Sequence, residues 1–494
     1  MLLRRVLPAL ALLLVAGSAS AQGTRCELVR SQGTTRSFNL STPYQVDHIP
    51  HPVFACEGGL RISADSAVFM HSTRQVSLYR NVVYADTTRS LRADRAQYNS
   101  AQRHLAAEGN VVLRDLASGS RIESPTLDYF ETMEGRPQAT VEIYSGRPRT
   151  SVVREVVEEG VLRNDTTVVD ADALTIIGED AFHYRGNVVI LGDDLHATSG
   201  FADFLQGGNR VELRNNARVT AEDVVLTGDT IVALQDPDAG ELREVDARGN
   251  AVLDSEEIDV RAPAIRTFFE AGAVDRLVAR GRGGAPGAAI EQAYAFSEQF
   301  NLNADSIDAL LPAQRVEEVI AVGNAYGERL AEDDSTRIQI APATPQDSAL
   351  ARLLAHDWVR GDTIRAYFAD AAAVDSSGAA AGVAAFDVER PAPVPDPAAA
   401  PPVIAGEPVA AAADSTERVL ERIIALGAPA RAANRMVNDD RPDDPAGISY
   451  ITAQRITVEI RNGAVDTVEA EGDVKGVYLQ PPENTRAVAA GGPP

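Results

Sequence analysis

The chain has 494 residues, 46 Lys and Arg against 71 Asp and Glu, and a formal net charge of -25 at pH 7. Nucleic-acid binding, which needs a basic stripe, and a polybasic membrane patch are both disfavoured by that balance. Low aromatic content (5%) with abundant small and aliphatic residues suits thin repeated layers better than one large globular core.

In chain order, residues 1–21 read as a secretory signal. Arg4-Arg5 precede an apolar run, and Ala19-Ser20-Ala21 is a small-residue cleavage site. The apolar run is short for a membrane span. Residues 22–57 form an N-terminal arm with the only two cysteines, Cys26 and Cys56. In an exported chain an even pair predicts a disulfide. The alternative is a metal site, because Asp47, His48 and His51 lie between them, but the spacing is not that of zinc.

From residue 58 onward two segment types alternate. One is aliphatic-x-Ala-Asp or a variant, as in ISADSAVF (62–69), LRADRAQY (91–98), VDADALTI (169–176) and LNADSIDAL (302–310). The other is aliphatic-x-Ala-x-Gly or a variant, as in LAAEG (105–109), VDARG (245–249), VIAVG (319–323), IIALG (423–427) and VEAEG (468–472). Both have period two, the mark of a half-buried strand. Roughly ten two-strand units fit between Ile62 and Leu479 by this pattern. The organisation predicted is a first β-domain at 58–150, a junction at 151–167 and a second β-repeat region at 168–370. A Pro/Ala-rich insertion follows at 371–416, final strands at 417–480 and a loose tail at 481–494. The strands flanking the insertion read as one hairpin with a long excursion at its tip.

Chemical signatures are weak. No nucleophile elbow or Walker loop is present, and GRGGAPG (281–287) lacks the Lys-Ser/Thr of a phosphate loop. Asp65, Asp94, Asp172 and Asp305 recur at one repeat position, which favours a structural role bonding nearby backbone amides over a catalytic one. The expectation is a protein that is not an enzyme and carries no metal or other cofactor.

The phase of the strands picks out candidate inner-wall residues. They are Val76, Leu78, Val82 and Tyr84; Leu105, Ala107, Val111 and Leu113; Phe182, Tyr184, Val188 and Ile190; and Val245, Ala247, Ala251 and Leu253. Glycine sits mid-strand in three of these four segments, where it marks a bend or a close approach. Sheets bent along such a line make a trough or flattened barrel, apolar within and acidic outside. The simpler reading is that facing sheets fill this interior with their own side chains.

The segments "ISADSAVFM", "LAAEGNVVLRD" and "FHYRGNVVILGDDLHATSG" resemble the OstA-like, LptA-like family of periplasmic lipopolysaccharide-transport proteins, and the N-terminal domain of LptD. The resemblance covers about residues 58–479. It implies an all-β fold of repeated antiparallel two-strand units in an elongated V-shaped β-jellyroll. It also implies that the inner-wall candidates face lipid. The partners implied are lipopolysaccharide or a related glycolipid, with other Lpt-type proteins or a second copy joined end to end by β-augmentation. The location implied is the periplasm, with association with the outer membrane as a further option. The alternative function is an exported β-repeat scaffold with a self-filled core.

Overall fold

The computed structural model describes residues 26–479, apart from 282–291, 330–356, 371–417, 437–446 and gaps of two to five residues. The signal, the Pro/Ala-rich stretch and the tail therefore lie outside the described residues. Among the described residues the regular structure is β, in antiparallel pairs, with no helix able to cross a membrane. The expected fold class, an all-β stack of antiparallel two-strand units, is what the chain adopts.

Two compact units are present, one of residues 1–308 and 312–314, the other of 309–311 and 315–494. Residues 151–167, where the sequence loses its rhythm, lie within a hairpin. Arg149–Glu158 pairs with Val161–Asp170 along its whole length, and the open end of the hairpin joins a neighbouring strand on each side. The two compact units divide at 309–315.

In the first unit the strands Gln75–Ala85, Arg89–Asn99, His104–Asp115 and Arg121–Phe130 follow one another as a meander. A second run continues it through Ala181–Leu191, Leu195–Leu205, Arg210–Ala221, Val224–Gln235, Leu242–Asp254 and Asp259–Glu270. Each pairing slips near its middle. The slips fall between Tyr79 and Val82, Arg92 and Arg95, Arg185 and Val188, Thr198 and Phe201, Arg214 and Ala217, and Arg248 and Ala251. In register they lie side by side, so they form one crease crossing the strands.

The Gly-Asn step makes the crease. Gly109 and Asn110 both have positive φ (76° and 46°), as do Gly186-Asn187 and Gly249-Asn250. Because the step takes up two residues, the alternation resumes in the same phase beyond it. The recurring aspartates complete the corner, though by a different bond from the one expected. Their carboxylates accept side-chain amides from the next strand, with Asn81 to Asp65 at 3.0 Å, Asn110 to Asp94 at 2.8 Å and Asn187 to Asp172 at 2.7 Å. A Cβ on Gly109 would lie 2.5 Å from an Asp94 carboxylate oxygen. Glycine is therefore required there both for its backbone and for the room it leaves.

At the N-terminal edge Cys26 is disulfide-bonded to Cys56, and the two face each other in the antiparallel pair of Cys26–Arg30 with Val53–Cys56. Asp47 engages His71 at 2.7 Å, and His48 packs edge-on against Phe38.

The second unit is a meander of Glu318–Arg329, Asp357–Asp370, Arg418–Met436 and Gly447–Arg461. The strands flanking the Pro/Ala-rich stretch form one hairpin, with Asp370 opposite Arg418. Gly447–Arg461 also carries Ala464–Glu471 and Lys475–Leu479.

Candidate functional site

The sixteen inner-wall candidates come from four strands of the first unit: Gln75–Ala85, His104–Asp115, Ala181–Leu191 and Leu242–Asp254. Strand pairing lines them up in ladders perpendicular to the strands. On one arm of the crease Val76 is opposite Tyr98, and Tyr98 is opposite Leu105. On the other arm Tyr84, Leu91, Leu113, Ile122, Thr150, Val169 and Ile190 follow one another in register. The ladder continues through Ala197, Val219, Leu226 and Leu253. One apolar face thus runs along the unit on both sides of the crease.

Burial is complete beside the crease and mixed toward the strand ends. The eight candidates flanking the crease are at most 1% exposed: Leu78, Val82, Ala107, Val111, Tyr184, Val188, Ala247 and Ala251. Of those nearer the strand ends, Val76, Tyr84, Leu113 and Leu253 are half-buried, whereas Leu105, Phe182, Ile190 and Val245 are buried. Both arms of one sheet are buried on the same face. Such burial on both arms is what a sheet folded on itself across the crease gives. The interior is filled by side chains there: Phe182 and Tyr184 are wholly buried, and Tyr184 packs edge-on against Phe204 at 5.6 Å. The Tyr184 hydroxyl lies beside Thr150 on the opposite arm, and burial raises its pKa.

The mouth is less uniform. Burial raises the Tyr84 phenol, and the charges of Tyr129, Glu131, Asp86 and Tyr98 add to it. The Tyr98 hydroxyl donates to Glu131 Oε1 at 3.4 Å. Burial pushes the Tyr98 phenol up to about 12 and raises the pKa values of Tyr84, Tyr129 and the Glu131 carboxyl. His104 stacks on Phe130 at 4.4 Å, and the Arg136 guanidinium lies 5.2 Å from the centroid of the same Phe130 ring. Sequence phase does not single out this cluster: Tyr98 and Tyr129 lie in Ala-Asp-type or irregular strands, and Glu131 follows the end of one.

In the second unit a small apolar pocket of about 30 Å³ is lined by Trp358, Ile423, Ile451, Val458, Ile460 and Val468, among others. At its edge Asp357 accepts from Arg329 at 2.7 Å and from the backbone amide of Arg435 at the same distance. None of the sequence-derived candidates lies here. Among the described residues no group of three or more His, Cys, Asp or Glu is placed to hold a metal.

Free strand edges are the other notable surface. Cys26–Arg30 pairs only with Val53–Cys56 among the described residues, and Leu28, Val29 and Phe38 are 43%, 59% and 47% exposed. In the second unit Lys475–Leu479 pairs only with Gly447–Arg461 among the described residues, and Val477 and Tyr478 are 57% and 53% exposed.

No protein-family model matches the chain, and no curated protein does. Among solved structures it is similar to LptH from Pseudomonas aeruginosa, described as the LptA homologous periplasmic component of the conserved lipopolysaccharide transport device. That match has 17% identity and a TM-score of 0.21, and covers 31% of this chain and 90% of that chain.

Proposed function

We propose that the protein is a periplasmic lipid conduit that shields the acyl chains of lipopolysaccharide or a related glycolipid on the way to the outer membrane. The supporting observation is the pair of apolar ladders on either side of the crease, sealed beside the crease and half-buried at Val76, Tyr84, Leu113 and Leu253 toward the strand ends. Such a wall presents no chemistry, only apolar area, and removes about 0.8 kcal/mol worth of CH₂ from water for each methylene taken up. The choice of lipid comes from the sequence resemblance of the Ala-Asp and Gly-Asn-Val-Val strands. On this reading the protein is not an enzyme and needs no cofactor. The open edge strands support joining to Lpt-type proteins or to a second copy by strand addition.

A second reading, an exported scaffold, is favoured by one observation: Phe182 and Tyr184 fill the interior with the chain's own side chains. Photo-crosslinking in cells separates the two. A photoreactive residue at Tyr84, Leu113 or Leu253 is expected to yield adducts with acylated lipid, with weaker yield from Val111, Val188 and Ala251. The outward Glu108 is expected to yield none. Absence of lipid from every inward position, together with lipid-free purified protein, would establish the scaffold reading instead.

A further inference from the structure

The outer face of the first unit carries a regularity that the conduit reading does not use. One register line crosses seven strands just before the crease. Read along the pairing it is Arg185, Phe201, Arg214, Thr230, Arg248, Ala264 and Arg280. Arginine occupies every second strand, and an uncharged residue stands between each pair. All four arginines are exposed, and the three spacers are half-buried. Two strand spacings separate neighbouring arginines by about 9.5 Å at the backbone. In a chain of net charge -25 this is a local cationic track.

The nearest carboxylates are engaged. Asp203 and Glu212 lie on Arg214, and Asp246 is shared by Arg248 and Arg266. Among the described residues no ion pair engages Arg185 or Arg280. Between Arg248 and Arg280 the small Ala264 leaves a recess of about 210 Å³, lined also by Arg266, Val278 and the ion-paired Asp246. Between Arg185 and Arg214 the spacer is Phe201, with the Arg214 guanidinium 5.8 Å from its ring centroid.

We infer that this track is a binding site for a phosphorylated saccharide carrying two or more anionic groups. Planar guanidiniums hold phosphate oxygens by paired N–H bonds. A spacing of two strands suits anions at the two ends of a sugar unit, not one small ion. The low spacers make room for sugar rings, and Phe201 offers one a flat apolar face. Such a ligand would be held outside the sheet, in solvent, where its charges stay hydrated. The site stands whether or not the interior takes lipid. The same chemistry occurs in a glycolipid headgroup and in a free phosphosugar.

The test uses the full-length protein and a bisphosphorylated disaccharide without acyl chains, followed by titration calorimetry at low and moderate salt. Inorganic phosphate is titrated in parallel. The disaccharide is expected to bind at least about tenfold more tightly than phosphate, with affinity falling as salt rises. Arg280→Gln and Arg185→Gln remove no ion pair, and each should weaken binding roughly five- to tenfold, the double variant more. Arg92→Gln and Arg95→Gln, exposed arginines off the track, should change nothing. Adding the acylated form of the same disaccharide tells a headgroup from a free phosphosugar: tighter binding that still depends on Arg280 points to the glycolipid, equal binding to the soluble sugar. Inorganic phosphate binding as tightly as the disaccharide would overturn the inference. So would wild-type affinity in the Arg185→Gln/Arg280→Gln double variant, or an equal loss in the Arg92→Gln/Arg95→Gln pair.

Discussion

Gly109 shows how much one residue decides. Its φ of 76° belongs to a region that a side chain disfavours by roughly 1–2 kcal/mol. A Cβ there also meets Asp94 at 2.5 Å. Gly109→Ala is therefore expected to destabilise the protein by about 2 kcal/mol, measured by denaturant melting. Adding Asp94→Ala should recover part of that loss by opening space, although it also breaks the bond from Asn110. A double variant no better than Gly109→Ala would show that the backbone alone sets the requirement. Glu131 makes a different kind of prediction. Burial raises its pKa above the ordinary 4.5, so the folded chain holds the proton more tightly than the unfolded one. Its contribution is thus complete below the ordinary glutamate value and is lost as pH rises through the raised one. Glu131→Gln should match the wild type at about pH 4 and be the more stable at about pH 7. Parallel pH profiles for the two proteins would refute this.

At the scale of elements, the strands are built in halves. Arg61–Ser63 and Ser66–Met70 pair with opposite ends of one strand, Gln75–Ala85, and the break between them is Ala64-Asp65. The Ala-Asp position is thus where one strand stops serving one arm and starts serving the other. Asp305 holds the same repeat position, as the sequence pattern shows. The N-terminal edge is stapled to this scheme by Cys26 and Cys56, 30 residues apart. Loop closure of that length is worth roughly 3–4 kcal/mol in the chain-entropy account. Reduction, or Cys26→Ser with Cys56→Ser, should release the Cys26–Arg30 strand and lower stability by up to that amount. Hydrogen exchange confined to residues 26–56 would show the loss to be local, and unchanged protection there would argue against the edge strand depending on the bond.

At the scale of the whole molecule, each of the two units has, among the described residues, terminal strands paired on one side only that carry exposed apolar residues. Unpaired edges of this kind are templates for another strand. Val477→Lys with Tyr478→Lys should reduce concentration-dependent association, read by analytical ultracentrifugation, while leaving the melting temperature within about 2 °C. Equal association in the variant would remove this edge as a joining surface. The strong acidity of the chain predicts that such association, resting on backbone bonds and apolar area, strengthens as salt screens like charge.

Period-two alternation, being local, was enough to read the strands and which of their faces is buried beside the crease. Leu105, Ala107 and Val111 are legible because a strand has only two faces and one of them must be buried. The Cys26–Cys56 bond was legible because a chain with two cysteines offers one pairing. What the amino-acid order could not show is which residues stand beside one another across strands. The Asn110–Asp94 corner is one such juxtaposition, joining residues 16 apart. The Tyr84, Tyr98, Tyr129 and Glu131 mouth is another, and so is the alternating arginine track. Each depends on register, and register is set by the sum of many weak pairings along every strand. Only the folded sheet, creased and closed on itself, turns those local alternations into an interior, a mouth and an outer face.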